Sequence, residues 1–146
     1  MQHVAIMRKS WGLLPKILQG DKKIESRRYK AKFPPWNRIR AGDIIYFKDA
    51  GAPITVKVDV EKVLQFENYD DGRLNEIIKK YGGEGGICFP SPSDETFEWA
   101  RKRKYCVLMF LRNPQKIPPI EIDKKGFGNA CAWICVEDIN KIKLKH

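Results

Sequence analysis

The chain has 146 residues, 42% apolar and 32% charged, enough for one core that hides roughly 70% of the unfolded surface. Lys and Arg number 28 against 18 Asp and Glu, a net charge of +10, which draws phosphates and anionic surfaces toward the protein. No apolar run is long enough for a membrane helix, and Met1 to Ile6 is too short and polar-flanked for a signal peptide, so a soluble cytoplasmic protein is expected.

His3 to Met7 reads as a short strand. Leu13, Leu14, Ile17 and Leu18 then fall at helical spacing, with Pro15 tolerated in a first turn and Gly20 placed to end the helix. Ile24 to Tyr29 alternates, which puts Lys23, Glu25, Arg27 and Tyr29 on one side of a strand. Residues 30–40 form a basic, aromatic loop in which Pro34 and Pro35 forbid helix or central strand. Ala41-Gly42-Asp43 turns into a strand from Ile44 to Lys48. Ile54, Val56, Val58 and Val60 alternate with polar residues, and Val63 and Phe66 break the parity, which predicts a bulge near Glu61.

Asp71 is placed to cap a helix through Leu74, Ile77, Ile78 and Tyr81 that ends at Gly82-Gly83. Gly82 to Gly86 lacks the lysine and hydroxyl of a P-loop and reads as a flexible linker. Ser91-Pro92-Ser93-Asp94 reads as the start of a helix running to Lys104. Tyr105 to Leu111 is a continuous apolar run, hence a strand buried on both faces, and Ile117 to Ile120 an extended edge. Gly126 to Asn129 is a turn, Ala130 to Val136 a last strand, and Lys141 to Lys145 an edge strand. Nothing divides the chain, so residues 1–146 read as one α+β domain. About six strands with few helices predict a small, partly closed β-barrel with helices at its rim.

The chemistry concentrates early. Glu25 and Arg27 lie two apart on a strand. They form either an ordinary surface ion pair, worth about 0–1 kcal/mol, or, with Lys22 at the adjoining turn, a cleft that fixes a phosphate or a base edge. The 30–40 loop interleaves cations, Arg38 among them, with Phe33 and Trp36, a mixture that suits single-stranded nucleic acid. Trp36 alternatively plugs the barrel end. Ser10 and Trp11 precede the first helix, placed either to cap and pack or to meet an anion. Arg101 to Lys104 either complement a helix C-terminus or contact phosphates. Lys48 ends a strand close to the turn chemistry and is a further cleft candidate. His3 and His146 sit near the termini, which argues against histidine catalysis, and Cys131 and Cys135 around Trp133 read as core rather than a zinc site. No metal or cofactor is expected.

The spacing Gly20-x-Lys22-x-x-Glu25-x-Arg27 after a first helix resembles the ASCH family, a branch of the PUA-like fold. The helix Leu13 to Gln19, the Ala41 to Ile45 turn and strand, and Trp133 late in the chain fit the same pattern. The resemblance implies a PUA-like barrel with a cleft lined by the motif. It implies an RNA-binding module holding single-stranded RNA or a modified nucleotide through Lys22, Glu25 and Arg27, with Trp36 and Trp11 stacking bases. It also implies a rival: a hydrolase acting on RNA or a modified nucleoside, with Lys22 and Glu25 as catalytic pair. One bacterial branch is associated with amide hydrolysis on acetylated cytidine nucleosides through the motif lysine, a threonine and a distant glutamate. Lys22 matches that lysine, but Glu25 stands where the threonine is expected, which counts against that mechanism. A third reading is a domain whose charge serves acidic protein partners.

Overall fold

The alternating and continuous apolar stretches resolve into the six strands of one sheet. The structure, a computed structural model, describes residues 1–83, 85–87, 94–127 and 131–144. Its elements are β1 (Gln2–Met7), α1 (Leu13–Leu18), β2 (Ile24–Tyr29), β3 (Ile44–Asp49), β4 (Ile54–Glu67), α2 (Asp71–Tyr81), α3 (Asp94–Arg101), β5 (Tyr105–Ile120) and β6 (Trp133–Val136). The sheet order is β2-β5-β4-β3-β1-β6. Among the described residues, β1 and β3 pair in parallel and the other strand pairings are antiparallel.

The long β4–β5 ribbon shifts register at Ile54/Val56, Lys57/Asp59 and Val60/Lys62. Each shift adds twist and bend, and together they curl the sheet into a half-barrel. The last shift is the bulge that the broken parity around Glu61 predicts. The first part of β5, Cys106 to Met109, is buried on both faces because its parity serves two cores, whereas the strand beyond Leu111 is largely exposed. Val107 and Met109 join Ala5, Ile45, Phe47, Val58 and Trp133 inside the curl. Cys106 and Leu108 join Ile24, Leu74, Ile77 and Ala100 under α2 and α3. A third cluster, with Val4, Tyr46 and Ile134, covers the outer face of β1, β3 and β6. The architecture is therefore the expected α+β half-barrel with short helices at its rim. Among the described residues, no helix is long and apolar enough to cross a membrane.

Several local expectations change. Asp70, not Asp71, caps α2: its carboxylate accepts from the Arg73 backbone N–H at 2.8 Å. α3 ends at Arg101, short of Lys104, and Ser91 to Ser93 lie outside the described residues. The last strand spans Trp133–Val136, without Cys131 and Ala132, and Ala130 lies outside the described residues. The tail forms a 3-10 turn, Ile139–Lys141, and a single bridge from Lys143 to Ile122 instead of an edge strand.

The described part of Gly82 to Gly86 is not a free linker. The Gly86 carbonyl accepts from the N–H groups of Lys23 and Ile24, both at 3.1 Å, and Gly85 N–H donates to the Asp21 carbonyl at 2.9 Å. This clips the segment onto the turn that carries the motif. Gly20 opens that turn with φ +82, a left-handed conformation that only glycine adopts without strain. At Gly86 the need is space: a Cβ would lie 2.1 Å from the Tyr81 carbonyl oxygen. Gly86→Ala is expected to cost about 1–3 kcal/mol through backbone displacement, read as a lower urea midpoint; an unchanged midpoint would mean that the clip is dispensable.

Candidate functional site

The parity of β2 decides what the motif can reach. Ile24 faces the α2–α3 core. Alternation therefore sends Glu25, Arg27 and Tyr29 to the opposite side, into the curl. There the edge strand β2 faces the β1–β6 edge of the same sheet. Arg27 spans the gap. Its Nη1 donates to the Ala132 carbonyl at 3.2 Å and its Nη2 to the Ile6 carbonyl at 3.3 Å, with Met7 Sδ also 3.3 Å away. The guanidinium lies over the Trp133 ring, 5.1 Å from its centroid. Arg27 therefore closes the seam of the half-barrel.

Glu25 is held between the two motif cations. Its Oε2 is 3.4 Å from Arg27 Nη2 and its Oε1 is 3.6 Å from Lys22 Nζ. Oε1 also accepts from the Ser26 N–H at 3.0 Å. Lys22 and Glu25 are only 2% and 4% exposed, so this is a buried array and not a surface pair. Lys22 Nζ also donates to the Ile24 carbonyl at 2.7 Å and the Ile87 carbonyl at 2.6 Å. The lysine thus ties the motif turn to the segment after α2. Burial pushes the Tyr29 phenol above its usual pKa, while the neighbouring Arg27 guanidinium pulls it down.

The array continues through the barrel interior. Trp133 Nε1 donates to His3 Nδ1 at 3.1 Å, and His3 Nε2 sits 2.9 Å from Asp43 Oδ2. An acceptor role at Nδ1 places the ring proton on Nε2, donated to Asp43. Cys135 Sγ lies 3.4 Å from the same Nδ1. Burial lowers the His3 pKa, opposed by the hydrogen bond and charge of Asp43. Burial raises the Cys135 thiol, and the nearby Arg38 opposes it. A polar chain therefore runs Asp43, His3, Trp133, Arg27, Glu25, Lys22. Position near the terminus hid His3 from sequence reasoning. The usable signal was a histidine leading an apolar strand, followed by Val4, Ala5 and Ile6.

The other predicted site residues scatter. Trp36 is in the core, edge-on to Tyr105 with ring centroids 5.2 Å apart, so it plugs the barrel and does not offer a face to a base. Lys48 shares the strand parity of Tyr46, whose cluster lies on the outer sheet face, so it does not line the motif cleft. Burial lowers its pKa, and Lys124 lowers it further. Arg38 is exposed. Ser10 and Trp11 sit on a 3-10 turn, Lys9–Trp11, with no side-chain cap; Trp11 is 46% exposed, with the Arg8 guanidinium 5.3 Å from its ring centroid. Three of the four cations 101–104 are engaged. Arg101 pairs with Glu98 and Asp71, each at 3.1 Å, Arg103 donates to the Trp99 carbonyl, and Lys104 to the Tyr69 carbonyl. A shallow groove of about 640 Å³ lined by Asn37, Arg40, Lys62 and Gln65 includes none of the motif residues. Among the described residues, no group of three or more His, Cys, Asp or Glu is placed to hold a metal.

No family model matches the chain, and no curated protein matches it. Solved structures do. The crystal structure of ASCH from Zymomonas mobilis is 17% identical, with 93% of this chain and 87% of that chain covered and a TM-score of 0.64. Two single-residue variants of the Zymomonas mobilis protein match at 17% and 18% identity. Each covers 96% of this chain, with 93% and 91% of their own chains covered and TM-scores of 0.65 and 0.66. The chain has the fold of these ASCH proteins, a curled α+β half-barrel.

Proposed function

We propose that the protein is an ASCH-type module that holds single-stranded RNA or a nucleotide along the seam bridged by Arg27. One observation carries this reading: two exposed rings with flanking cations adjoin strand ends that both touch Arg27. Phe33, 57% exposed, packs beside Tyr29 at 5.9 Å between centroids, and the exposed Trp11 follows Met7 closely. Lys30 and Lys32 accompany the first ring, Arg8 and Lys9 the second. Rings stack bases and cations hold phosphates. The net charge of +10 supports the same partner.

The test is fluorescence anisotropy with short single-stranded RNA and matched DNA across a salt series. RNA is expected to bind more tightly than DNA. Trp11→Ala and Phe33→Ala should each weaken it by about 1–3 kcal/mol, the scale of one stacked base. Equal binding of RNA and DNA, unchanged in both variants, would reduce the charge to a generic basic surface. The second reading, a hydrolase of RNA or a modified nucleoside, draws on the buried Lys22–Glu25 pair. Binding is better supported, because Lys22 Nζ is committed to two backbone carbonyls.

A further inference from the structure

Arg28 lies on the other face of β2 from the motif. Alternation puts it with Ile24, toward Tyr69 and Ala100. It is 3% exposed. Its Nη1 donates to the Tyr69 hydroxyl at 3.3 Å. That hydroxyl passes its own proton to the Arg103 carbonyl. The other two nitrogens, Nε and Nη2, are buried and have no hydrogen-bond partner among the described residues. No carboxylate among the described residues forms an ion pair with Arg28. A second cation lies at Tyr69: Lys104 Nζ is 5.6 Å from its ring centroid, whereas the Arg103 guanidinium lies over Trp99, 4.5 Å from that ring's centroid.

A guanidinium buried without a counterion is strongly unfavourable, whereas a paired one with its donors satisfied is tolerated. The two vacant donors are the ones that matter. Nε–H and the adjacent Nη2–H are parallel and form the fork that grips two oxygens of one carboxylate or phosphate. Tyr69 takes only the remaining nitrogen, and so holds the plane of the fork fixed.

We propose that Arg28 is a binding site for a small oxyanion, a phosphate or carboxylate group, separate from the Lys22–Glu25–Arg27 array. Its burial excludes a polymer backbone and selects a small free anion. The anion would accept from Nε and Nη2 together, with Tyr69 fixing the guanidinium and Lys104 adding positive potential. The site does not depend on the RNA reading, since the sheet separates the two.

The experiment is a thermal-unfolding titration of the full chain with phosphate, sulfate or acetate, chloride replacing each at constant ionic strength. Wild type, Arg28→Met and Arg28→Lys are compared. Wild type is expected to show a saturable rise in Tm beyond the steady rise that excluded salts give any protein. Both variants should lose the saturable part, because neither carries the fork. In chloride alone Arg28→Met should melt no lower than wild type, since it removes an uncompensated charge. A direct readout covers variants that fold poorly: the Arg28 Nε–H resonance of wild-type protein should shift on adding sulfate. A larger saturable response to phosphate and sulfate than to acetate assigns a tetrahedral anion, and the reverse a carboxylate. Parallel Tm curves in all three proteins, or an Nε–H resonance that does not move, would overturn the site.

Discussion

Replacing Lys22 with methionine is expected to lower folding stability by about 3–5 kcal/mol, the range for removing one partner of a buried ion pair. Methionine keeps most of the volume, so the loss comes from polar groups rather than from a cavity. Glu25 would keep Arg27 at 3.4 Å and the Ser26 N–H at 3.0 Å but lose the ammonium at 3.6 Å. The Ile24 and Ile87 carbonyls would lose a donor they share with no other described side chain. Urea unfolding measures the loss. Adding Glu25→Gln should restore part of it, because the stranded charge is removed, and the double-mutant cycle isolates the pair. The same variant separates the two functional readings. A Lys22→Met protein as stable as wild type, yet unable to turn over a nucleoside that wild type hydrolyses, would displace the binding reading in favour of the hydrolase.

Acidification is expected to loosen the other end of the polar chain. His3 has its pKa lowered from 6.5 by burial. The unfolded chain therefore takes up the proton first. Stability is fully present above about pH 6.5 and falls as pH drops below it, until His3 is protonated in the folded state as well. The groups that face His3 are Asp43, the Met1 amino group beyond it at 3.6 Å from Asp43, Cys135 and the Trp133 N–H. Asp43 alone favours the imidazolium. Protonation at Nδ1 removes the acceptor for Trp133 Nε1, so tryptophan emission should change over the same pH range. His3→Leu should abolish that pH dependence. It should also cost about 1–3 kcal/mol, because the buried Trp133 N–H is stranded, whereas Asp43 keeps the Arg40 N–H at 3.0 Å. Identical acid-unfolding curves for wild type and His3→Leu would remove His3 from this role.

Both predictions turn on where charge is buried, and that shows what each level of description holds. The strand Ile24–Tyr29, its parity, the continuous apolar strand after Tyr105 and the bulge near Glu61 were legible because side-chain alternation is a local property of a strand. So was the convergence of Lys22, Glu25 and Arg27, which lie within one turn and one strand of each other. The cap at Asp70 was missed by one residue because two aspartates in succession offer the same side chain. Trp36 and Lys48 were misplaced for a different reason. Exposure at those positions depends on how the sheet curls and which face is outside, and no window of sequence contains that.

By itself, then, the sequence determined the fold class, the basic surface and the motif turn, since periodicity, composition and short spacings carry them. Tertiary structure alone decided that the motif is buried, that Arg27 closes the barrel seam, that Gly86 clips the motif turn, and that His3 meets Trp133 and Asp43. Those contacts join residues 20 to 130 positions apart. Only the curling of the bulged sheet brings them together, and it gathers ordinary charged residues into a desolvated array.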